Sequence, residues 1–128
     1  LPKGYVNENE LPSQAALREL YEECLVEGHV IGVQAVRERL LEGLPAIFIA
    51  YRVELLENQD PTPGEEVLET RFVHAEEFAN LNWISDAMHS MASSAVNSNQ
   101  ALQTLDFQSS QGHPYMLHTL SRTWGGTA

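Results

Sequence analysis

The chain has 128 residues, 43% of them hydrophobic and 20% charged, enough for one domain around one hydrophobic core. Seven basic residues stand against 18 acidic ones, a formal net charge of −11. Such a surface repels nucleic-acid backbones and anionic membranes and suits a protein that gathers cations. No apolar run approaches the ~18 residues of a membrane span, and no basic-then-apolar leader opens the chain. The lone Cys24 has no internal disulfide partner, so a single cytoplasmic domain over residues 1–128 is the expectation.

Residues 15–24 are rich in Ala, Leu, Arg and Glu, which predicts a helix. Pro12 suits the first helical position, where its missing N–H costs nothing. Glu19, Glu22 and Glu23 stand at i, i+3 and i+4, so their carboxylates share one face. Ala16, Leu17 and Leu20 form the apolar face opposite. Like charges at these spacings cost a few tenths of a kcal/mol per pair. A hard divalent cation reverses that sign, because it takes carboxylate oxygens. A solvated acidic face is the other reading of the same cluster, and helical charge runs usually are that.

The wider spacing decides between them. Gly4, Glu10, Arg18, Glu19, Leu20, Glu22, Glu23 and Val26 fall in order within residues 4–26. This stretch resembles the box of the Nudix hydrolase family, G-x5-E-x7-R-E-U-x-E-E-x-G-U with U aliphatic, and departs from it only where Leu25 replaces the late glycine. The resemblance implies that Glu19, Glu22 and Glu23 hold Mg²⁺ or Mn²⁺ together with Gly4, whose backbone carbonyl approaches the metal. One of the three glutamates also helps deprotonate the attacking water. Glu10 pairs with Arg18 and pins the loop to the helix. Without metal, mutual repulsion raises at least one carboxylate pKa. Two local departures follow: Leu11 offers no side-chain cap, and a leucine at position 25 is strained in the left-handed conformation. The helix is therefore expected to continue toward Glu27 and stop at Gly28.

Farther along, residues 29–36 predict a strand and residues 37–43 a charged turn with Leu40 and Leu41 packing inward. Residues 46–55 are the strongest strand and, apolar at their start, read as central and buried. Residues 58–64 form a loop. Residues 67–73 alternate like a half-buried strand, followed by a short turn that Glu76 and Glu77 cap. Ile84, Ala87, Met88, Met91, Ala92 and Ala95 recur at helical spacing, with the methionines as core. Residues 97–100 end that helix, residues 101–105 form a turn, residues 108–112 a polar link, and residues 115–120 a short strand or helix. The glycine-rich tail frays.

This order resembles the later two-thirds of the Nudix fold, an α/β (α+β) class α/β/α sandwich around a mixed sheet. Family members carry strands before the box, whereas here Gly4 comes almost at once. An N-terminal segment beyond these residues is the first explanation and a second chain completing the sheet, as in a homodimer, the next. Glu65, Glu66 and Glu69 stand where relatives often place a further ligand or base; Glu66 is the first choice and Glu69 the second. The five histidines show no zinc-like spacing, and Cys24 has no base beside it in sequence, so neither is expected to be catalytic.

The implied activity is metal-dependent cleavage of the pyrophosphate bond in a nucleoside diphosphate linked to another moiety, of the ADP-ribose/NDP-sugar or the dinucleoside polyphosphate type. The substrate is a nucleotide-type small molecule, reached through the metal layer and locally through Lys3, with Arg52 and Arg71 as further cations. The alternative is a Nudix-fold binding or regulatory module without catalysis.

Overall fold

A computed structural model of the chain describes residues 1–105 and 114–120. The elements are α1 (Pro12–Cys24), β1 (Gly28–Leu41), β2 (Leu44–Leu55), the 3-10 turn η1 (Ala75–Asn80), α2 (Asp86–Asn97), β3 (Leu102–Leu105) and β4 (Leu117–Thr119). Among the described residues they form an α+β fold on a four-stranded sheet in the order β2-β1-β3-β4. The described pairings are all antiparallel. No helix among the described residues is long and apolar enough to cross a membrane.

The main feature is the long β1–β2 hairpin. Glu42 and Gly43 turn it with φ of 52° and 82°, the doubly left-handed geometry of a two-residue turn that matches strand twist. Leu41 then faces Leu44, and the register runs back to Gly28 opposite Leu55. Two bulges, between Val30 and Gly32 and between Val33 and Ala35, bend β1. The expected charged turn at residues 37–43 is thus mostly strand. Residues 37–41 continue β1 because they pair with Phe48 to Leu44 across the hairpin, a long-range pairing that a run of three charged residues does not announce. Leu40 is 73% exposed rather than packed inward.

Other expectations also need correction. β2 is an edge of the described sheet, and β1 and β3 are the strands paired on both sides. The apolar opening of β2 reflects hairpin partners and a cavity wall, not burial on two faces. Residues 67–73 form no strand; their alternation finds no backbone ladder to join. Residues 101–105 contain strand β3 instead of a turn, because Leu102 and Gln103 complete the free edge of β1. Residues 115–120 contain the short strand β4. The link at residues 108–112 and the glycine-rich tail lie outside the described residues.

The core is small. Ala15 of α1, Val26, Val33 of β1, and Met88, Met91 and Ala92 of α2 are its buried apolar side chains. The two methionines of α2 are core residues, as their spacing suggests. Ser85 caps that helix by accepting from the Met88 N–H at 3.2 Å. Ile84 lies before the helix and is exposed.

Candidate active site

Three pieces of chain meet at α1: the N-terminal strap of residues 1–11, the helix itself and the loop of residues 58–66. Pro12 begins the helix, and Gln14 Oε1 reaches back to accept from the Leu11 N–H at 2.8 Å. That bond partly replaces the missing side-chain cap.

Arg18 is the hub. Its Nε donates to Glu10 Oε2 at 2.8 Å and its Nη2 to Glu10 Oε1 at 3.1 Å and to the Tyr5 carbonyl at 2.8 Å. Its Nη1 donates to Glu19 Oε1 at 2.7 Å and Glu22 Oε2 at 3.2 Å. A guanidinium has five N–H donors, and each has an acceptor here. The Arg18 side chain holds the Glu10 carboxyl below the usual carboxylate range, helped by the Asn7 N–H. Glu10 in turn raises the Arg18 pKa further, with Glu19 second. The Glu10–Arg18 pair therefore ties the strap to the helix.

The strap also reaches the other glutamate. The Lys3 backbone N–H donates to Glu23 Oε2 at 2.9 Å. Burial nevertheless raises the Glu23 pKa, and the Glu19 charge adds to the rise. Gly4 lies so close to the Glu19 side chain that a Cβ at position 4 would collide with its carboxyl group. A side chain there would have to displace the Glu19 carboxyl from its bond to Arg18. Glu19 and Glu23 are half-buried and Glu22 is exposed. Among the described residues no group of three His, Cys, Asp or Glu side chains converges tightly enough to hold a metal. Arg18 Nη1 stands between Glu19 and Glu22 in this arrangement.

The helix ends at Cys24, not near Gly28. Leu25 adopts the left-handed conformation, φ 55° and ψ 34°, and its N–H closes on the Tyr21 carbonyl at 2.9 Å. The strain is accepted because the turn delivers Val26 to the core, where it is 2% exposed. It also leaves the last carbonyls free for another segment. The Thr62 N–H donates to the Cys24 carbonyl at 2.8 Å and the Gly64 N–H to the Glu23 carbonyl at 3.1 Å. Gln59 clamps the next residue, accepting from the Glu27 N–H at 2.7 Å and donating to the Glu27 carbonyl at 2.8 Å. The loop of residues 58–64 is thus a cap for α1. A Cβ at Gly64 would collide with the Glu22 carbonyl oxygen.

This docking carries the exposed Glu65 and Glu66 to the chain just beyond the end of α1. Glu69 is drawn to Arg71 at 3.9 Å, and Arg71 pairs with Glu77 at 2.9 Å. Glu77 Oε2 caps η1 by accepting from the His74 N–H. Arg52 donates to Gln34 Oε1 at 2.8 Å and to the Ala95 carbonyl at 3.0 Å. Arg52 and Arg71 therefore have structural partners, and the structure does not bring them to the glutamates. Burial raises the Cys24 thiol pKa, and the neighbouring Glu23 charge adds to it, the reverse of an activated thiol.

Beside the strap lies a cavity of about 300 Å³, lined among others by Lys3, Gly4, Arg37, Arg39, Phe48 and Met88. Sequence reasoning missed Arg37 and Arg39 by placing them in a turn. Their two-residue spacing was the available signal.

The assembled strap, clamp and glutamate face reproduce the box of residues 4–26 as one structural unit. No curated protein matches the chain. The family model of the NUDIX domain matches residues 1–92, well over half of the 128 residues, and the chain therefore belongs to the NUDIX family, whose type of activity is pyrophosphohydrolysis.

Proposed function

We propose that this protein is a metal-dependent hydrolase that cleaves the pyrophosphate bond of a nucleoside diphosphate linked to a second moiety. The observation that carries the reading is the strap that brings Gly4 against Glu19 and the Lys3 N–H onto Glu23, on the helix that also bears Glu22. The donor types suit a hard divalent cation, carboxylate oxygens and a glycine carbonyl, but the three carboxylates do not converge among the described residues, so holding an ion requires Arg18 to release Glu19 and Glu22. Burial raises the pKa of half-buried Glu23, and a nearby cation would offset that rise.

Glu19, Glu22 and Glu23 would hold the ion, with the Gly4 carbonyl as a further donor. Bound Mg²⁺ or Mn²⁺ supplies charge neutralisation at the phosphate oxygens and activation of water. Glu23, whose Oε2 accepts from the Lys3 N–H at 2.9 Å, would take the proton of the attacking water. Glu66 is a second acceptor, on the loop docked to the helix end. Glu10 and Arg18 position the helix against the strap, and Lys3 faces the substrate phosphates.

Glu23→Gln should abolish turnover while circular dichroism and the melting temperature stay near the parent's. A screen of ADP-ribose, NDP-sugars and dinucleoside polyphosphates, with and without Mg²⁺, tests metal dependence and substrate class together. Turnover by Glu23→Gln equal to the parent's would sink the assignment. One observation favours the second reading, a binding module without catalysis: Arg18 already satisfies Glu19 and Glu22. No hydrolysis of any screened substrate in Mg²⁺ or Mn²⁺ would decide for that module.

A further inference from the structure

The few cations of this acidic chain are unevenly employed. Arg18 is committed to Glu10, Glu19 and Glu22. Arg71 is committed to Glu69 and Glu77, and Arg52 to Gln34 and two carbonyls of the α2 end. The other cations among the described residues, Lys3, Arg37 and Arg39, have no carboxylate partner there. All three line the same cavity of about 300 Å³.

The hairpin explains the convergence. Arg37 and Arg39 are two apart on β1 and share one face, and their partners on β2 are Phe48 and Ala46. The Arg37 guanidinium lies over the Phe48 ring at 5.0 Å from its centroid. This contact holds the side chain, and among the described residues its buried Nε has no acceptor. A buried donor without a partner is costly, and three unpaired cations around one space repel each other. Both costs are removed by a ligand with several anionic oxygens. Guanidinium groups suit phosphate in particular, because their forked donors match its oxygens.

Two residues of the strap link the cavity to the proposed catalytic glutamates: Lys3 and Gly4 line it, while the Lys3 N–H donates to Glu23 and Gly4 lies against Glu19. We propose that this cavity is a polyphosphate subsite: it binds phosphate groups of the substrate beyond the bond that is cut, through Lys3, Arg37 and Arg39. A substrate with a longer phosphate chain, such as a dinucleoside polyphosphate, is then preferred over a nucleoside diphosphate sugar, whose second moiety is uncharged. The assignment of the anion to the substrate rests on the hydrolase reading, whereas the binding itself rests only on the three cations.

The test is calorimetric titration of the full chain with inorganic tripolyphosphate and with orthophosphate, in metal-free buffer. Tripolyphosphate should bind one to one and at least ~10-fold more tightly than orthophosphate, and more weakly as NaCl is raised. Arg39→Gln, on an exposed position that leaves the fold alone, should weaken tripolyphosphate binding at least ~10-fold, the loss expected for a charge-assisted contact. Arg37→Gln should do the same, and Arg37→Lys, which keeps the charge, should lose less. Absence of tripolyphosphate binding by the parent, or equal binding by parent and Arg39→Gln, overturns the subsite. Turnover is read separately with Mg²⁺: its absence counts against the hydrolase and leaves the metal-free binding result standing.

Discussion

Gly64→Ala tests whether the loop of residues 58–64 is a cap that positions the glutamate face. The added Cβ would meet the Glu22 carbonyl oxygen, with the Glu22 carbonyl carbon at 3.0 Å and Glu23 Cα at 3.5 Å. These are helix backbone atoms, so no side chain can swing aside, and the loop must lift. Lifting it breaks the Gly64 bond to the Glu23 carbonyl and the Thr62 bond to the Cys24 carbonyl. At about 1 kcal/mol net for each bond, the loss is about 2 kcal/mol. In a domain of this size that lowers the melting temperature by roughly 6–8 °C. Differential scanning calorimetry reads this directly. Hydrolysis in Mg²⁺ should fall at least ~10-fold, because a shift of about 1 Å in a positioning segment is enough. Gly43→Ala is the control: its φ of 82° makes alanine strained, but no atom lies within 4 Å of the new Cβ. It should cost about 1 kcal/mol and leave turnover alone. If Gly64→Ala melts with the parent, the dock is not what holds the helix end.

The remaining predictions concern the other joints of the structure. At position 25, glycine should be more stable than alanine by about 1 kcal/mol in urea unfolding, because only alanine bears the left-handed strain at φ 55°; equality would show that the turn relaxes. Met88→Ala should destabilise by about 3 kcal/mol, the cost of a cavity at a side chain only 4% exposed, seen as a lower urea midpoint with an unchanged slope. Arg18→Lys keeps the charge with fewer donors, so Glu10 should titrate nearer the usual carboxylate range by carbon-13 NMR; an unmoved Glu10 would refute the clamp. His118 accepts or donates at Thr104 Oγ1 across 2.9 Å, and burial lowers its pKa. The unfolded chain then binds the extra proton, so this stabilisation is complete above about pH 6.5 and lost as pH falls through the lower folded value. The melting temperature of His118→Gln should fall less than the parent's between neutral pH and about pH 5.5.

How much of this was legible in the sequence depends on whether a residue's role is set locally. The glutamate face followed from i, i+3 and i+4 spacing alone, because a helix brings those positions together wherever it sits. The Glu10–Arg18 pair followed from the box pattern, and the α2 core from helical periodicity. Strand order did not. The apolar start of β2 suggested a central strand, yet burial of a strand depends on what pairs with each edge, and β3 reaches β1 from far along the chain. The helix end was misjudged for a related reason. Local propensity disfavours a left-handed leucine, but tertiary contacts outweigh that preference: Val26 enters the core, and Thr62 and Gly64 satisfy the freed carbonyls.

Folding likewise decides which cations are available: Arg52 and Arg71 looked free from sequence, and Arg37 and Arg39 did not. Arg52 and Arg71 looked available only because their partners, the Ala95 carbonyl and Glu77, are set by folding. Arg37 and Arg39 looked like a solvated turn because the hairpin bend at Glu42 and Gly43 has no strong turn residue besides glycine. Once the bend is placed, alternation puts both arginines on one face, beside the strap that begins the box. In a chain of net charge −11, those cations have no carboxylate partner among the described residues, and none of the described residues lining their cavity is acidic. Binding of an anionic substrate then has a local field opposite in sign to the protein's overall charge, next to the glutamates that would take the metal.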